Sequence, residues 1–311
     1  MAGDASLPPG LNPDRLRAIR SALARKAYAE GEVRIADPDL TGRDWLVASP
    51  RGVFAIGGGA ARIAIHGWFF GICRGGDALY LFENCGLRDR RSALGRLLKL
   101  RIAGGRLVEP KVLAKGLDAN CHQVRVIDGL VCLVDTANQA VLRFDTEGRL
   151  VDRRQLFPSA DIQDTSGAYL HINSIARIGG RLAVLLHNGK VNPPRPSEIA
   201  WLDEDWRVAE RMQLQGHACH DLATDPAGQT WYCASMSGEI ASLDGRRATV
   251  DAERMARGIA FSGDHIAVGV SIFGPREARD GLRGALVILG PDLIPCERIE
   301  LDGPPTDLVA L

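Results

Sequence analysis

Two short segments almost a hundred residues apart each place a cysteine directly before a histidine. They are NCHQVRV at residues 120–126 and ACHDLAT at residues 218–224, and in both an aliphatic residue stands two positions after the histidine. Thiolate and imidazole groups bind transition metals, and histidine transfers protons near neutral pH. Because adjacent residues of an extended strand point to opposite faces, we expect each cysteine to point away from a metal that its neighbouring histidine holds.

Both segments belong to a longer repeat. Six four-residue segments share one pattern, which is any residue, a polar residue or glycine, an aliphatic residue and then a variable residue. They begin at Phe70, His122, Asn173, His220, Arg257 and Thr306, and subtraction gives spacings of 52, 51, 47, 37 and 49 residues. Short β-rich runs separated by Gly, Asp, Asn and Pro follow each segment. Four strands at this period are typical of β-propeller blades.

The last repeat has a single strand, and its partners can come from the other end of the sequence. WLVASPRGVFAIGGG at 45–59 matches WYCASMSGEIASLDG at 231–245, and ARIAI at 61–65 follows it. These runs supply three strands of a sixth blade. The sequence therefore predicts an all-β fold at residues 44–311, a six-bladed β-propeller closed by pairing of the C-terminal strand with N-terminal strands. Residues 1–43 form an extension with one amphipathic helix, which begins near Pro13 and ends at Gly31.

With six repeats and this closure, the chain resembles the six-bladed propeller superfamily that includes the NHL-repeat, gluconolactonase and peptidyl-amidating lyase folds. The resemblance is architectural and spans residues 44–311. It implies the fold, but it carries over no catalytic residue, since no diagnostic motif of one family is present.

Two sets of side chains are expected at one mouth of the propeller channel. In each blade the innermost strand begins at the mouth where the second strand ends. The first set is the six repeat heads given above. The second set is Glu83 and Asn84, Asp135 to Asn138, His187 and Asn188, Ser235, and Ser271. Four of the seven histidines, His122, His171, His187 and His220, fall in or beside these sets.

Histidines that converge from separate blades are suited to a divalent metal. The leading hypothesis is a Zn, Mn or Fe site formed by His122, His171 and His220, with an open position for water or substrate. Candidate acid–base groups are His187, Glu83, Asp135 and Asp221. Candidate substrate contacts are Asn84, Asn173, Asn188 and Arg257, the last for a carboxylate or oxyanion. The predicted activity is of the lyase, hydrolase or lactonase type, on a small, polar, anionic substrate.

Three other interpretations remain open. The histidines could cap loops structurally, the mouth could bind a small ligand or protein partner without catalysis, or histidine could act as acid and base without a metal. We expect Cys121 and Cys219 to pack between blades, and Cys85 is the cysteine to test for reactivity.

Several loops near this mouth carry cationic residues. GLRDRRSALGRLLKLR at 86–101 is a basic, locally helical insertion, either a solvated cover or a lid. Two long loops, in blades three and five, bring Lys190, Arg195, Arg276 and Arg279 toward the mouth.

The amino-acid composition restricts the kinds of binding partner and the cellular location that we expect. Lys plus Arg equals Asp plus Glu at 38 each, which argues against nucleic acid or an anionic membrane surface. No apolar run reaches the ~20 residues of a membrane span. The first residues lack an apolar secretion signal, so we expect a cytoplasmic protein with reduced thiols. The oligomeric state is left open.

Overall fold

The computed structural model describes residues 13–86, 91–274 and 278–311, with side chains described from residue 18 onward. Arg276 and residues 87–90 of the basic insertion lie outside these ranges. The chain is a six-bladed β-propeller preceded by one α-helix, as the sequence predicts. No helix in the described ranges is both long enough and apolar enough to span a membrane.

The helix and the first four strands precede blade 1. Helix α1 spans Pro13–Glu30, and the Gly31 amide donates to the Tyr28 carbonyl at its end. The strands that follow are β1 (Arg34–Ile35), β2 (Trp45–Ser49), β3 (Gly52–Gly57) and β4 (Ala60–His66). They belong to blade 6, which the C-terminal strand completes.

Blades 1 to 3 are four-stranded antiparallel sheets. Blade 1 is β5 (Phe69–Gly75), β6 (Ala78–Asn84), β7 (Gly95–Ala103) and β8 (Arg106–Leu117). Blade 2 is β9 (Val124–Ile127), β10 (Leu130–Asp135), β11 (Ala140–Phe144) and β12 (Leu150–Gln155). Blade 3 is β13 (Ile172–Ile178), β14 (Arg181–Leu186), β15 (Glu198–Leu202) and β16 (Val208–Gln213).

Blades 4 and 5 repeat this order, and β25 ends the chain. Blade 4 is β17 (His220–Thr224), β18 (Thr230–Ala234), β19 (Glu239–Ser242) and β20 (Arg247–Thr249). Blade 5 is β21 (Arg254–Ser262), β22 (His265–Ile272), β23 (Gly284–Leu289) and β24 (Pro295–Leu301), and β25 is Asp307–Ala310. Short 3-10 turns follow β10, β18 and β22 at Thr136–Asn138, Ser235–Ser237 and Arg279–Gly281.

The predicted closure is confirmed. Strand β25 pairs antiparallel with β2, with Trp45 opposite Ala310 and Ala48 opposite Asp307. The sheet order β1-β4-β3-β2-β25 adds one outer strand, β1, that the sequence analysis did not predict. Pairing the two ends of the propeller leaves no open sheet edge between the first and last blades.

The core is divided among the interfaces between blades. Six clusters of buried apolar side chains lie in the described residues, one between each pair of neighbouring blades. Inner strands are therefore buried on both faces, which explains continuous apolar runs such as Leu79–Phe82 in β6.

The helical prediction for the basic insertion is wrong in its second half. Residues 95–101 belong to β7, which pairs with β6 from Ala78 opposite Arg101 to Asn84 opposite Gly95. Alternation explains the error, since apolar Leu98 and Leu100 enter one cluster while Lys99 faces Glu147. Arg91, before the strand, bonds to the Ala137 and Ala160 carbonyls of blade 2.

Candidate functional site

The repeated pattern has a structural meaning at its second position. In blades 2, 4 and 6 the side chain at this position accepts a hydrogen bond from a backbone N–H group of the following blade. Gln123 Oε1 accepts from Ile175 N at 2.8 Å, and Asp221 Oδ2 accepts from Ile259 N at 2.8 Å. Asp307 Oδ2 accepts from Ile72 N at 3.1 Å. Three polar residues thus bridge three blade boundaries around the axis.

The intervening blades have small residues at the same position, namely Gly71, Ser174 and Gly258. A Cβ atom at Gly71 would lie 2.6 Å from the His122 carbonyl oxygen. One at Gly258, where φ is +86°, would lie 2.9 Å from a Leu308 methyl carbon. Alternation of large polar and small residues around the ring therefore follows from space near the axis.

Arg125 occupies the centre of a polar network near the channel axis, which also contains Gln123, Asp221 and Asp307 and which we call the axial network. Its guanidinium is 2.9 Å from Asp221 and 2.9 Å from Asp307, and it also donates to the Ile72 and Val124 carbonyls. Burial opposes the charge of Arg125, but Asp307 and Asp221 outweigh it and raise its pKa. Burial raises the pKa of Asp307 to about 6, so it is ionised at pH 7.

Asp221 is part of this network and also lines the axial cavity beside His220 and Arg257. It accepts hydrogen bonds from Gln123 Nε2 at 2.7 Å, Leu222 N at 2.8 Å and Ile259 N at 2.8 Å, as well as from Arg125. The sequence analysis missed the roles of Gln123, Arg125 and Asp307. Their signal was present, since Gln123, Asp221 and Asp307 share one repeat position.

Four histidine rings form an arc at the predicted mouth. The ring centroids of His122 and His171 are 5.0 Å apart, those of His171 and His187 are 4.7 Å apart, and those of His187 and His220 are 5.3 Å apart. Blade 3 contributes two of the four, because His171 precedes β13 and His187 follows β14. We call these four residues the histidine arc.

Further aromatic rings contact two members of the histidine arc, His122 and His171. Phe70 stacks on His122 with centroids 5.3 Å apart, and Trp68 lies 6.1 Å beyond Phe70. Tyr169, which sequence reasoning missed, contacts His171 edge-on at 5.5 Å. His171 itself has φ +51°, a left-handed conformation that is uncommon for a residue with a side chain.

Hydrogen bonds set the orientation of the two outer histidines. His122 Nδ1 lies 3.0 Å from the Asn120 carbonyl, so this nitrogen carries a proton and donates. His220 Nδ1 lies 2.9 Å from Ser235 Oγ. Burial, then the charge of Arg257 and the neighbouring His187 and His122, hold the pKa of His220 well below its usual range. His220 is therefore neutral at pH 7.

A narrow cavity on the channel axis joins these groups. His122, Asn173, His220 and Arg257 line it, and its floor is the axial network. Its volume is about 20 Å³, enough for about one water molecule. The Arg257 guanidinium carbon lies 5.9 Å from the Phe70 ring centroid. A neutral imidazole and a guanidinium thus border one small polar space.

The predicted metal ligands do not form a compact triad. His187 lies between His171 and His220 in the arc, and within the described residues no group of three His, Cys, Asp or Glu side chains is placed to hold a metal ion. The donor chemistry of one residue does fit a metal. His122 Nδ1 donates to a carbonyl, as the second ring nitrogen of a metal-binding histidine commonly does.

Two other candidate bases have structural partners. The Glu83 carboxylate is buried and accepts from Tyr28 Oη at 2.5 Å and Arg96 Nε at 2.7 Å, which anchors α1 to blade 1. Asp135 caps the 3-10 turn that follows β10, and both of its oxygens lie 2.9 Å from Asn138 Nδ2. Burial raises the pKa of Asp135.

The three candidate asparagines occupy different places. Asn173 lines the axial cavity, and its Nδ2 donates to the Cys219 carbonyl at 2.8 Å. Asn188 donates from Nδ2 to the Pro196 carbonyl, and its buried Oδ1 has no partner in the described part of the chain. Asn84 lies beside α1, at a separate cavity.

The cysteines follow the alternation argument. Cys121 lies between blades 1 and 2 and Cys219 between blades 3 and 4, both fully buried. Burial raises the pKa of the Cys219 thiol to about 11 and that of Cys85 to about 12. Cys85 is therefore a poor nucleophile, and of the seven cysteines only Cys296 is exposed.

The opposite mouth of the channel holds a wider cavity of about 680 Å³. The C-terminal ends of the inner strands line it, with apolar walls that include Ile175, Leu222 and Phe261 and a rim that includes Arg74 and Arg177. Sequence reasoning did not identify this cavity, because its walls are ordinary strand residues without a distinctive motif.

Comparisons with known proteins show the fold alone. A protein of unknown function from Bacteroides caccae aligns with TM-score 0.59 and 11% identity over 87% of this chain and 99% of its own. The nidogen/laminin complex gives TM-score 0.60 and 11% identity over 86% and 98%. A streptogramin B lyase gives TM-score 0.47 and 11% identity over 78% and 86%. No protein-family model and no curated protein sequence matches the chain significantly.

Proposed function

We propose that the mouth lined by the histidine arc is the active site of an enzyme of the lyase or hydrolase type that acts on a small, polar, anionic substrate. The observation that carries the proposal is the pairing of neutral, buried His220 with Arg257 at one cavity. Perturbed titration in a cleft beside a charge partner is characteristic of catalytic groups. The fold by itself does not select a reaction.

In this proposal His220 is the general base. Ser235 fixes the ring through Nδ1, and the neutral imidazole accepts a proton from the substrate or from a water molecule. Arg257 holds the substrate anion and stabilises negative charge that develops during the reaction. His187, whose ring lies 5.3 Å from that of His220, takes the proton onward.

A metal-dependent form of the same activity is the second candidate. The hydrogen bond from His122 Nδ1 to the Asn120 carbonyl favours it, because histidines that bind a divalent metal of the Zn, Mn or Fe type commonly donate their other ring N–H to a carbonyl. Such an ion would supply Lewis-acid activation of substrate or water. Elemental analysis of wild type and His122→Ala separates the two candidates, since a stoichiometric metal lost in the variant supports the second.

The test begins with binding, because the substrate is unidentified. The full chain is screened by thermal shift against small carboxylates, lactones and phosphate esters, and compounds that bind are assayed for turnover by mass spectrometry. We expect Arg257→Met to lose the binding of these compounds, while Arg177→Met at the opposite mouth retains it. His220→Asn should bind them and turn them over about 100-fold or more slowly.

Two results would contradict the proposal. Compounds that bind Arg257→Met as well as wild type would place the ligand elsewhere, and turnover unchanged in His220→Asn would remove its base. Compounds that bind at Arg257 without turnover would instead support a non-catalytic propeller, which binds a small ligand or a protein partner on the same face.

The remaining parts of the proposal concern the binding partners and the cellular location of the protein. A small-molecule substrate, with neither nucleic acid nor membrane as partner, agrees with equal numbers of acidic and basic residues. A cytoplasmic location agrees with seven unpaired cysteines, since reducing compartments keep thiols free.

A further inference from the structure

A separate cavity of about 420 Å³ lies between α1 and blade 1. Helix residues Arg25 and Tyr28 form one side, and Trp68, Asn84 and Cys85 form the other. Trp68 lies 6.1 Å from Phe70, which stacks on His122, so the cavity is beside the histidine arc but distinct from it. We call it the helix cavity.

Within the described residues, three N–H donors at the helix cavity lack acceptors. Asn84 is 2% exposed, and its Oδ1 accepts from Gly86 N at 2.7 Å, which fixes the amide with Nδ2 as the unpaired end. Trp68 Nε1 and Arg25 Nε are also buried without a partner in the described residues. Buried donors are nearly always satisfied in folded proteins, so three around one space indicate a missing acceptor.

The cavity offers little to a ligand that donates hydrogen bonds. The Tyr28 hydroxyl already donates to Glu83, and burial raises the pKa of the Cys85 thiol to about 12, so that thiol is uncharged. Glu83 is in turn paired with Arg96. Among the described residues of the lining, the cationic side chain that remains is Arg25, whose Nη1 donates to the Gly86 carbonyl at 3.0 Å.

We infer that the helix cavity is a binding site for the carboxylate group of a small organic acid. One guanidinium and two neutral N–H donors match a planar monoanion with two acceptor oxygens. A phosphate dianion carries more charge than one arginine balances. The Trp68 and Tyr28 rings provide an apolar wall for the remainder of the acid. The site stands independently of the histidine chemistry proposed above.

Benzoate and its shape-matched neutral analogue benzamide test this site on the full chain. We expect benzoate to bind saturably at concentrations up to about 10 mM, by calorimetry and thermal shift, and benzamide and inorganic phosphate to bind at least about tenfold more weakly. Asn84→Asp keeps the acceptor for Gly86 N but replaces the donor with a charged oxygen. It should weaken benzoate binding by more than about tenfold.

Arg25→Met provides a second variant that does not disturb the buried amide, and it should weaken benzoate about tenfold. Arg20→Met, an exposed change on the same helix, is the matched control and should bind benzoate as wild type does. Unliganded melting curves establish that each variant folds. Equal binding of benzamide, undiminished binding in Arg25→Met and Asn84→Asp, or no benzoate binding to wild type would overturn the inference.

Discussion

The imidazole of His220 is enclosed to a degree that changes its protonation. Burial and the charge of Arg257 lower its pKa well below the usual value. In the unfolded chain the same residue titrates near 6.5. Between the two pKa values the unfolded chain binds a proton that the folded chain does not, so folding becomes less favourable as pH falls.

This difference predicts how stability depends on pH. The stability that neutral His220 contributes is complete above about pH 6.5 and declines below it, by up to about 1.4 kcal/mol per pH unit. We expect the Tm of wild type to fall more steeply from about pH 7 to pH 5 than that of His220→Asn. Exposed His265→Asn serves as the control and should follow wild type. Parallel curves for wild type and His220→Asn would contradict the assignment.

The local sequence pattern predicted the positions and partners of individual side chains only in part. Strand alternation correctly sent Cys121 and Cys219 into the core between blades and left the histidines at the mouth. It could not predict the ion pair of Asp221, because its partner Arg125 is 96 residues away in the chain. Pairings of that range are determined by the closed ring and not by neighbouring residues.

At the scale of elements, α1 is attached to the propeller by a buried polar cluster. Tyr28 and Arg96 both bond to Glu83, and Arg96 Nη1 also donates to the Gly31 carbonyl at 2.6 Å, beyond the helix end. The sequence predicted a helix with an apolar face. It gave no sign of this attachment, and Ile19 and Leu23 are in fact exposed.

Removing one hydroxyl tests this attachment. Tyr28→Phe leaves a buried Glu83 oxygen without its donor, and we expect a loss of about 1–3 kcal/mol in the free energy of unfolding. Urea denaturation measures the loss. Tyr80→Phe is the matched control, since Tyr80 is buried in blade 1 and its hydroxyl forms no hydrogen bond in the described residues. Equal losses in the two variants would argue against a role for the hydroxyl bond.

For the whole molecule, the axial network joins blades that share no strand pairing. Arg125 of blade 2 binds Asp221 of blade 4 and Asp307 of blade 6. Each carboxylate also accepts a hydrogen bond from a backbone amide of the next blade, Asp221 from Ile259 and Asp307 from Ile72. The sequence predicted the number of blades and their closure from the repeat. It did not predict the axial network, because the repeat shows that one position is polar but does not show which residue of another blade binds there.

Arg125→Met leaves two carboxylates facing each other without a cation. We expect a loss of about 3–5 kcal/mol in the free energy of unfolding at pH 7. Loss of Arg125 raises the pKa of Asp307 above its wild-type value of about 6, so the deficit relative to wild type should shrink as pH falls toward 6, because protonation in the variant removes the repulsion. Arg177→Met, which breaks an exposed ion pair with Asp128, should cost less than about 1 kcal/mol. A pH-independent deficit would refute this explanation.

Closure by β25 also has a consequence during synthesis on the ribosome. Strand β2 is made before the five other blades, yet its inner partner β25 is made after them, since Trp45 pairs with Ala310. Until β25 is made, the apolar segment WLVAS presents an unpaired edge, which is the kind of surface that neighbouring nascent chains can capture. The ring can close only after residue 310 has left the ribosome, so the inner edge of β2 stays uncovered until the five other blades have been made.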